Sequence, residues 1–462
     1  MAGHTHARGL TNGLPHTAHR TTCATLLSRM TPWTKWVLVI AALVTLGIAV
    51  QQRHRVALKL QDPLGGHIND FDRWMIMIPQ FIHQRADYVD DLFPMPPVSL
   101  FVLSPLTALS RQNAQFVWVC VKLPLACLVL ALSTAMVART GAQLTPSAVA
   151  LILACWWLPI VLDMQQGQTN FLVLVPLVAA LLIAQNDAPA SDAIAGFLIG
   201  LAAAIKVTPL IFAAYFFWKR RWIVTLSAVA SLGLWLLVVP AAVFGWDQNI
   251  RWLGQWVRIM IEPYVTRGEV LYPMSQSFGS FALRLLTALP VFETTDGGVP
   301  YGHYMNVLQL TETTVSRFAV SIMVVVAFAG LWWTRRTLAT LKCRRYLLEV
   351  GAVTAFMLWF SERTWVHHYV TFVLTLCAAG TILSDATESD RTRGVVRLSL
   401  VSFAVVTLCA SEVGRMFGPH GVERAQAAGV FLWPSIVVTI TTIGFGGAPG
   451  TTTECTEDDG DH

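Results

Sequence analysis

Long apolar runs, separated by short polar stretches, recur along almost the whole chain. Many of them approach the length of about 20 residues that a helix needs to cross a bilayer. They lie at 33–51, 97–110, 114–137, 147–163, 169–185, 193–218, 222–244, 317–334, 346–360, 365–383, 397–413 and 428–447. The pattern predicts an all-α polytopic membrane protein with about twelve transmembrane helices. Several runs are short, which indicates broken or re-entrant helices that line a cavity.

The composition excludes an ordinary soluble globular protein. Of 462 residues, 55% are hydrophobic and only 13% are charged. The eight cysteines form no Cys-x-x-Cys pair, and those inside apolar runs are Cys120, Cys127, Cys155, Cys377 and Cys409. We therefore interpret the cysteines as small core residues and not as disulfides or metal ligands.

The chain is predicted to form one membrane domain. Its first apolar run starts far from the N-terminus and lacks a small-residue cleavage site, so we interpret that run as a retained anchor and not as a signal peptide. The last residues form an acidic tail. We expect a transmembrane domain over 33–447 between cytoplasmic tails at 1–32 and 448–462.

Basic residues cluster in three short loops between the apolar runs. The clusters are Lys219-Arg220-Arg221, then Arg335-Arg336 with Lys342, Arg344 and Arg345, and then Arg391, Arg393 and Arg397. Positive charge favours the cytoplasmic side, and the order of the runs puts all three loops there, together with the N-terminus. The loops at 52–96, 245–316 and 361–364 are then predicted to face outward.

An acidic, amphipathic segment follows the first apolar run. Its apolar residues fall at helical spacing and are Phe71, Trp74, Met75, Ile78 and Ile82. Such a helix lies in the membrane interface and would present Asp70 and Asp72 at the water-facing mouth of the bundle. Carboxylates are costly near a bilayer, so these two are candidates for a catalytic base. The alternative is that they only solvate an interfacial loop.

Two further polar features interrupt apolar sequence. The turn Gly167-Gln168-Thr169-Asn170 could bind a ligand or could simply cap helix ends, and the order of the runs puts it on the cytoplasmic side. Lys206 lies deep in the run 193–218, more than three helical turns from the nearest basic cluster. A lysine buried there needs an anionic partner. That partner is either a structural carboxylate or, as we favour, a ligand phosphate.

The pair His367-His368 stands at the outward end of another run. Adjacent residues on a helix point about 100° apart, so the two rings cannot ligate one metal ion as an i, i+4 pair would. They could bind a phosphate or a sugar hydroxyl, or one of them could pack at the interface. A nucleotide-binding glycine loop, a Gly-x-Ser-x-Gly motif and a His-Glu-x-x-His motif are missing from the sequence. Energy or sugar would then arrive through a lipid or an ion gradient.

Taken together, these motifs resemble glycosyltransferase family 87. The matching pieces, in the family's order, are Asp70-Phe71, Pro96 to Leu106, Trp156 to Pro159 with Gly167 to Asn170, Gly200 to Pro209, Ser275 to Ser277 with Arg284, and Ser361 to His368. The resemblance implies a GT-C-like bundle with interfacial helices in its outer loops. It also implies an inverting enzyme of the plasma membrane that uses a polyprenyl-phosphate sugar, commonly mannose or arabinofuranose, on the extracytoplasmic side. The acceptor would be a glycolipid or glycan.

The resemblance also assigns roles to residues. Asp70 matches the family's general base, and Asp72 is the second candidate. The donor phosphate would be bound by Lys206, Arg284 and His367 or His368, while the sugar or acceptor would be oriented by Gln168, Asn170 and Gln276. No cofactor, metal ion or nucleic acid is expected. Glu362, Thr364 and Ser275 differ from the family's residues, which leaves the sugar and the acceptor open.

A transporter or flippase of lipid-linked sugars is the alternative function. It would use the same buried lysine and cavity without breaking a bond, but transporters often contain inverted repeats with polar residues at the middle of both halves. Here most polar groups lie at outward ends and in large outer loops, and no repeat is evident. A scaffold in an envelope-synthesis complex would leave Asp70 and Lys206 unexplained.

Overall fold

The computed structural model describes residues 32–61, 66–267, 274–296, 299–361 and 363–446, with the backbone alone at 32–38, 265–267, 296 and 299. The predicted acidic tail at 448–462 and all but Pro32 of the predicted N-terminal tail lie outside these residues. Within them the chain is nearly all-α, as predicted. The exception is a short antiparallel hairpin in the loop 245–316, which was predicted to face outward; in it β1 (Phe292–Asp296) pairs with β2 (Val299–His303).

The helices follow one another closely in sequence. In the first half they are α1 (Pro32–Lys59), α2 (Asp70–Gln84), α3 (Val98–Leu103), α4 (Arg111–Ala138), α5 (Pro146–Gln166), α6 (Asn170–Ala184), α7 (Pro189–Ile205), α8 (Leu210–Trp218) and α9 (Trp222–Gly233). In the second half they are α10 (Val239–Phe244), α11 (Trp246–Met260), α12 (Glu262–Arg267), α13 (Phe278–Leu286), α14 (Glu312–Trp333), α15 (Arg344–Phe360), α16 (Val373–Ser384), α17 (Asp390–Thr407), α18 (Gly421–Ala427) and α19 (Leu432–Gly446). A π-helical stretch, Leu234–Val238, joins α9 to α10, and the 3₁₀ turns are Ser104–Ala108, Val366–Phe372, Leu408–Ala410 and Glu412–Phe417.

The predicted count of about twelve transmembrane helices is not confirmed. In the described residues six helical segments are long and apolar enough to cross a membrane, or seven if the pair α18–α19, bent by 46°, is one span. The six are Arg111–Ala138, Pro146–Gln166, Trp222–Phe244, Glu312–Trp333, Val366–Ser384 and Asp390–Ala410. Other apolar helices, such as α6 with 15 residues, are too short to meet that length.

The predicted span 193–218 is two helices that form a re-entrant pair. Helix α7 ends at Ile205, Lys206 is extended (φ −146°, ψ 125°), and α8 starts after Pro209, which has no N–H to continue a helix. Arg221, just beyond α8, forms ion pairs with Asp187 at 2.9 Å and Asp192 at 2.6 Å, both at the start of α7. Both ends of the pair therefore lie at the same face of the protein.

The predicted span 97–110 also fails to cross. Helix α3 and the following 3₁₀ turn pack against α2, and the chain then reaches Arg111, whose guanidinium binds Asp72 at the start of α2. Both ends of this segment therefore lie beside the same outer-loop helix.

Small residues allow α7 and α9 to pack closely. A Cβ atom at Gly196 would lie 2.2 Å from the backbone oxygen of Val224, and one at Gly200 would lie 2.4 Å from that of Ala228. On the facing helix, the hydroxyls of Ser227 and Ser231 donate to backbone oxygens of α7 at 2.6 and 2.7 Å. Close backbone approach with hydroxyl hydrogen bonds is the usual way in which helices associate where no hydrophobic effect drives them together.

The loops divide into two groups, one beside the end of α4, where Arg139 donates to Asn186 at 2.9 Å, and one beside its start, where Arg111 binds Asp72. At one end the basic loops contact each other, because Lys219 donates to the backbone oxygen of Thr334 at 2.6 Å and Arg344 pairs with Asp385 at 2.9 Å. At the other end Arg363 pairs with Asp91 at 3.4 Å. Helix α4 has 28 residues, about 42 Å at 1.5 Å per residue, which is enough to separate two membrane faces.

Candidate active site

Helix α2 begins beside the start of α4, at the end of the molecule opposite to the basic loops (the outer-loop face), and carries two carboxylates in its first turn. The side chain of Asn69 caps the helix by accepting the backbone N–H of Asp72 at 2.9 Å, and its amide donates to the backbone oxygen of Gln165 at 2.8 Å. The cap fixes α2 against the end of α5. As predicted, the helix is amphipathic and buries Phe71, Trp74, Met75 and Ile78, but the fifth buried apolar residue is Phe81 and the predicted Ile82 is only partly buried.

The two aspartates of α2 have different surroundings. The side chain of Asp70 is 29% exposed; it accepts a hydrogen bond from Gln168 and pairs with Arg73 at 2.8 Å. The side chain of Asp72 is fully buried, and Arg111 binds both of its oxygens, at 2.9 and 2.7 Å. The prediction that both aspartates lie at a water-facing mouth is therefore wrong for Asp72, since of the two only Asp70 keeps exposed side-chain surface.

The turn between α5 and α6 lies directly against α2. Gly167 has φ +70°, and a Cβ atom there would lie 2.3 Å from the Cβ of Phe71. The indole N–H of Trp118 donates to the backbone oxygen of Gly167 at 2.7 Å, and the Trp118 ring stacks on Phe71 at 5.1 Å. The order of the predicted spans put this turn on the cytoplasmic side, whereas the structure places it beside the outer-loop helix.

Asn170 connects this turn to Lys206. The Lys206 ammonium donates to the Asn170 side-chain oxygen at 2.5 Å. The amide nitrogen of Asn170 donates at 2.8 Å to Asp163 and at 3.3 Å to the backbone oxygen of His367. Asp70 accepts from Gln168 of the same turn. The partners of the Asp70 carboxylate and of the Lys206 ammonium are therefore only two residues apart in sequence.

Lys206 and His368 present hydrogen-bond donors to the same point. Nδ1 of His368 accepts the backbone N–H of Trp365 at 3.1 Å, so in the neutral ring Nε2 carries the proton. This Nε2 lies 3.0 Å from the Lys206 ammonium, which can only donate. An anionic oxygen bound beside this pair, within reach of both nitrogens, would accept from both.

His367 lies beside this pair and is buried. Its ring contacts that of His368 edge to face at 4.5 Å. Within the described residues its Nε2 has no hydrogen-bond partner. Since buried polar nitrogens in proteins are nearly always hydrogen-bonded, this atom is suited to receive a ligand group.

Arg284 and Gln276 belong to a neighbouring cluster. The buried Arg284 donates to the backbone oxygen of Ser275 at 2.6 Å, and its guanidinium lies over the ring of Phe281. Burial lowers the pKa of Arg284 to about 9, which still leaves it cationic at neutral pH. The hydroxyl of Ser275 accepts the backbone N–H of Thr364 at 3.0 Å, which connects the cluster to the segment carrying the histidines.

The amide of Gln276 is used within the protein. It donates to the backbone oxygen of Gln426 at 2.7 Å and accepts from the backbone N–H of Phe431 at 3.3 Å. Gln276 therefore ties its segment to the end of α18 and to the residue before α19.

Comparison with known proteins identifies the family. The sequence model of glycosyltransferase family 87 matches residues 93–361, which is more than half of the chain. The chain belongs to glycosyltransferase family 87. No curated protein and no solved structure matches it. The protein is therefore a membrane glycosyltransferase. The matched region includes Gln168, Asn170, Lys206, Gln276 and Arg284 of the predicted site.

The structure of this family 87 glycosyltransferase brings together most of the predicted site residues. Direct hydrogen bonds link Asp70 to Gln168 and Asn170 to Lys206, and Nε2 of His368 lies 3.0 Å from the Lys206 ammonium. Arg284 and Gln276 meet this group through the 364–368 segment. In the described part of the chain no group of three or more His, Cys, Asp or Glu side chains is arranged to hold a metal ion.

Sequence reasoning missed two buried charges in this enzyme. The Lys122 ammonium lies 2.7 Å from a carboxylate oxygen of Asp163, and neither side chain is more than 1% exposed. The signal was present, because Lys122 lies inside the predicted span 114–137 and Asp163 ends the next one. Ionisable residues in such spans are functional candidates by default.

Proposed function

We propose that the protein transfers a sugar from a polyprenyl-phosphate donor to a hydroxyl of a glycolipid or glycan, with inversion at the anomeric carbon. Asp70 is the general base. The site faces the extracytoplasmic side of the plasma membrane, because Asp70 lies on the face opposite to the basic loops. The sugar is mannose or a pentofuranose such as arabinofuranose.

One observation carries this proposal: a single turn, 167–170, holds both an accessible carboxylate and a partly buried ammonium. Gln168 donates to Asp70, and Asn170 accepts from Lys206. An inverting transfer needs a base on one side of the sugar and a charge to stabilise the leaving phosphate on the other. Family membership supplies the reaction class, and this turn supplies the two groups.

The reaction is a displacement at the anomeric carbon. Asp70 takes the proton of the acceptor hydroxyl as its oxygen forms the new bond to that carbon. The bond from the carbon to the phosphate oxygen breaks at the same time, and the electron pair leaves with the polyprenyl phosphate. The proton ends on Asp70, and the anomeric configuration is inverted because attack and departure occur on opposite faces.

The donor phosphate is assigned to the group around Lys206. The ammonium of Lys206 and Nε2–H of His368 converge, and Nε2 of His367 is buried nearby. Electrostatic stabilisation of the leaving group by fixed donors typically contributes several kcal/mol to lowering the barrier. Arg284 adds positive charge from the neighbouring cluster, and Gln168 and Asn170 orient the sugar and acceptor. Gln276 holds the segment that carries the histidines.

The proposal is tested by transfer with purified protein in lipid nanodiscs. Polyprenyl-phosphate mannose or arabinofuranose, radiolabelled in the sugar, is supplied with a membrane lipid extract as acceptor. We expect wild-type transfer to fall by a factor on the order of 10² to 10⁴ in Asp70→Asn, because the base is lost while its hydrogen bond to Gln168 can remain.

Asp87→Asn is the matched control for this experiment. Asp87 follows α2, is 46% exposed and, within the described residues, forms one long ion pair, at 3.6 Å to Arg251, so its variant should transfer at the wild-type rate. Full activity in Asp70→Asn would overturn the assignment of the base. A wild-type protein that binds either donor but never cleaves it would favour the transporter function.

A further inference from the structure

Two oppositely charged side chains lie fully buried below the proposed site. The ammonium of Lys122, on α4, contacts both the carboxylate and the backbone oxygen of Asp163, on α5, at 2.7 Å each. Their side chains are 1% and 0% exposed. Two charges this deep are costly to desolvate, and a well-packed apolar pair is often as stable or more so. The pair therefore calls for a role other than stability.

Asp163 reaches the proposed phosphate site through one amide. Its second oxygen accepts from the Asn170 side-chain nitrogen at 2.8 Å, so the Asn170 oxygen must point the other way, toward Lys206. A carboxylate on one side accepts only, and an ammonium on the other side donates only. The orientation of the amide is fixed by these two neighbours.

Lys206 forms no ion pair with a carboxylate of the described residues, although Asp163 lies just beyond Asn170. The charge of Asp163 is instead neutralised by Lys122. If Lys122 were neutral, Lys206 would be the next ammonium available to the buried carboxylate of Asp163. An ammonium drawn to Asp163 would have less charge to offer a ligand.

We propose that Lys122 is a positioning residue that keeps Lys206 free to bind the donor phosphate, by holding the charge of Asp163. The inference rests on the proposed function, since it takes the ligand of Lys206 to be an isoprenyl phosphate. Lys122 touches no substrate and acts through Asp163 and Asn170.

The test separates this role from a purely structural ion pair. Binding of farnesyl phosphate is measured on purified protein in nanodiscs, together with KM and kcat for the polyprenyl-phosphate sugar. The variants are Lys122→Met, Asp163→Asn and the double variant that carries both. Thermal unfolding, followed by tryptophan fluorescence, gives the stability of each one.

The expected pattern is asymmetric. Lys122→Met leaves an unneutralised Asp163, so its Kd for farnesyl phosphate and its donor KM should rise by roughly tenfold or more, with a smaller change in kcat. Asp163→Asn and the double variant contain no carboxylate that could attract Lys206. Both should bind farnesyl phosphate close to the wild-type Kd, whatever their unfolding temperatures.

A structural role alone predicts a different pattern. Lys122→Met and Asp163→Asn would then show the same change in Kd, or folded Lys122→Met would keep the wild-type Kd. Either result overturns the inference while wild-type transfer stands. If Lys122→Met does not fold, a Kd raised about tenfold in a stable double variant overturns it equally. Absence of both transfer and binding in the wild type would overturn the proposed function and this inference with it.

Discussion

Asp70 and Asp72 lie two residues apart on one helix, and their neighbours give them separate tasks. Asp72 is enclosed by both nitrogens of the Arg111 fork and by the backbone N–H of Ile68, so it joins α2 to the start of α4. Asp70 has a polar neighbour on each oxygen but remains accessible. Both oxygens of Asp72 are occupied by its ion pair with Arg111, whereas Asp70 keeps exposed surface that a hydroxyl proton can reach.

Asp72→Asn should therefore lower stability more than Asp70→Asn does. The substitution removes the charge that binds Arg111 and leaves a buried amide in its place, at a cost of about 2 kcal/mol. Asp70→Asn affects only a partly exposed pair, which contributes at most about 1 kcal/mol. Unfolding of both variants in detergent, followed by tryptophan fluorescence, gives the comparison. Equal stability of the two variants, with transfer lost only in Asp72→Asn, would make Asp72 the base.

At this scale the sequence shows which residues are unusual but not what surrounds them. Asp70 and Lys206 could be singled out because charge is costly near apolar sequence, and the same rule applies to Lys122 and Asp163. The rule cannot separate Asp70 from Asp72, because both lie in the first turn of one helix. Their difference comes from Arg111, which is 39 residues away in sequence from Asp72.

The turn 167–170 works as an element because it combines a left-handed residue with close contact to α2. Gly167 supplies the positive φ, and its missing side chain makes room for Phe71. The next residues then place Gln168 at Asp70 and Asn170 at Lys206. Two requirements act at this glycine, and they can be separated by experiment.

Gly167→Ala should reduce transfer strongly, because its Cβ would lie 2.3 Å from that of Phe71 and force the turn away from α2. Gly141→Ala is the matched control: its φ is +78°, but nothing lies within 4 Å of an added Cβ. The control should lose about 1 kcal/mol of stability from backbone strain and keep its activity. Equal transfer rates in both variants would show that contact with α2 does not position the site.

The predicted helix and the observed backbone differ most clearly at Lys206. The hydropathy of 193–218 predicts one continuous helix, because apolar residues flank the lysine on both sides. The extended conformation at Lys206 and the reversal of the chain after it depend on contacts with Asn170 and His368, which lie 36 and 162 residues away. A local pattern could predict the helices of this pair but not the turn between them.

The topology of the whole molecule follows from two segments that do not cross. If the segments 97–110 and 193–218 do not cross the membrane, the predicted orientation of the chain between them is reversed. The predicted orientation of the chain after 218 stays the same. The inversion moves the turn 167–170 to the outer-loop face, where it meets Asp70. The basic loops keep the side that the positive-inside rule predicts. Their contacts with one another agree with that arrangement.

This topology predicts which positions a membrane-impermeant maleimide can reach. A cysteine at Glu293, exposed in the hairpin, should react in intact cells. One at Ala386, exposed in the loop after α16, should react only once the membrane is permeabilised. The parent protein, with its native cysteines, gives the background. The reverse labelling pattern would place Asp70 on the cytoplasmic side and contradict the proposed location of the site.

The spacing of these contacts along the chain also sets the order in which a new copy matures at the ribosome. Helices α7 and α9 are joined by hydroxyl bonds only 34 residues apart, so they can pair soon after residue 231 has been made. The contact between Lys206 and His368 spans 162 residues, and at 5–20 residues per second it must wait roughly 7 to 27 seconds longer. A nascent chain interrupted in that interval would already have paired α7 with α9 but would lack the proposed phosphate site. If Lys206 and His368 bind the donor as proposed, half-made copies would be unable to compete with finished enzyme for it.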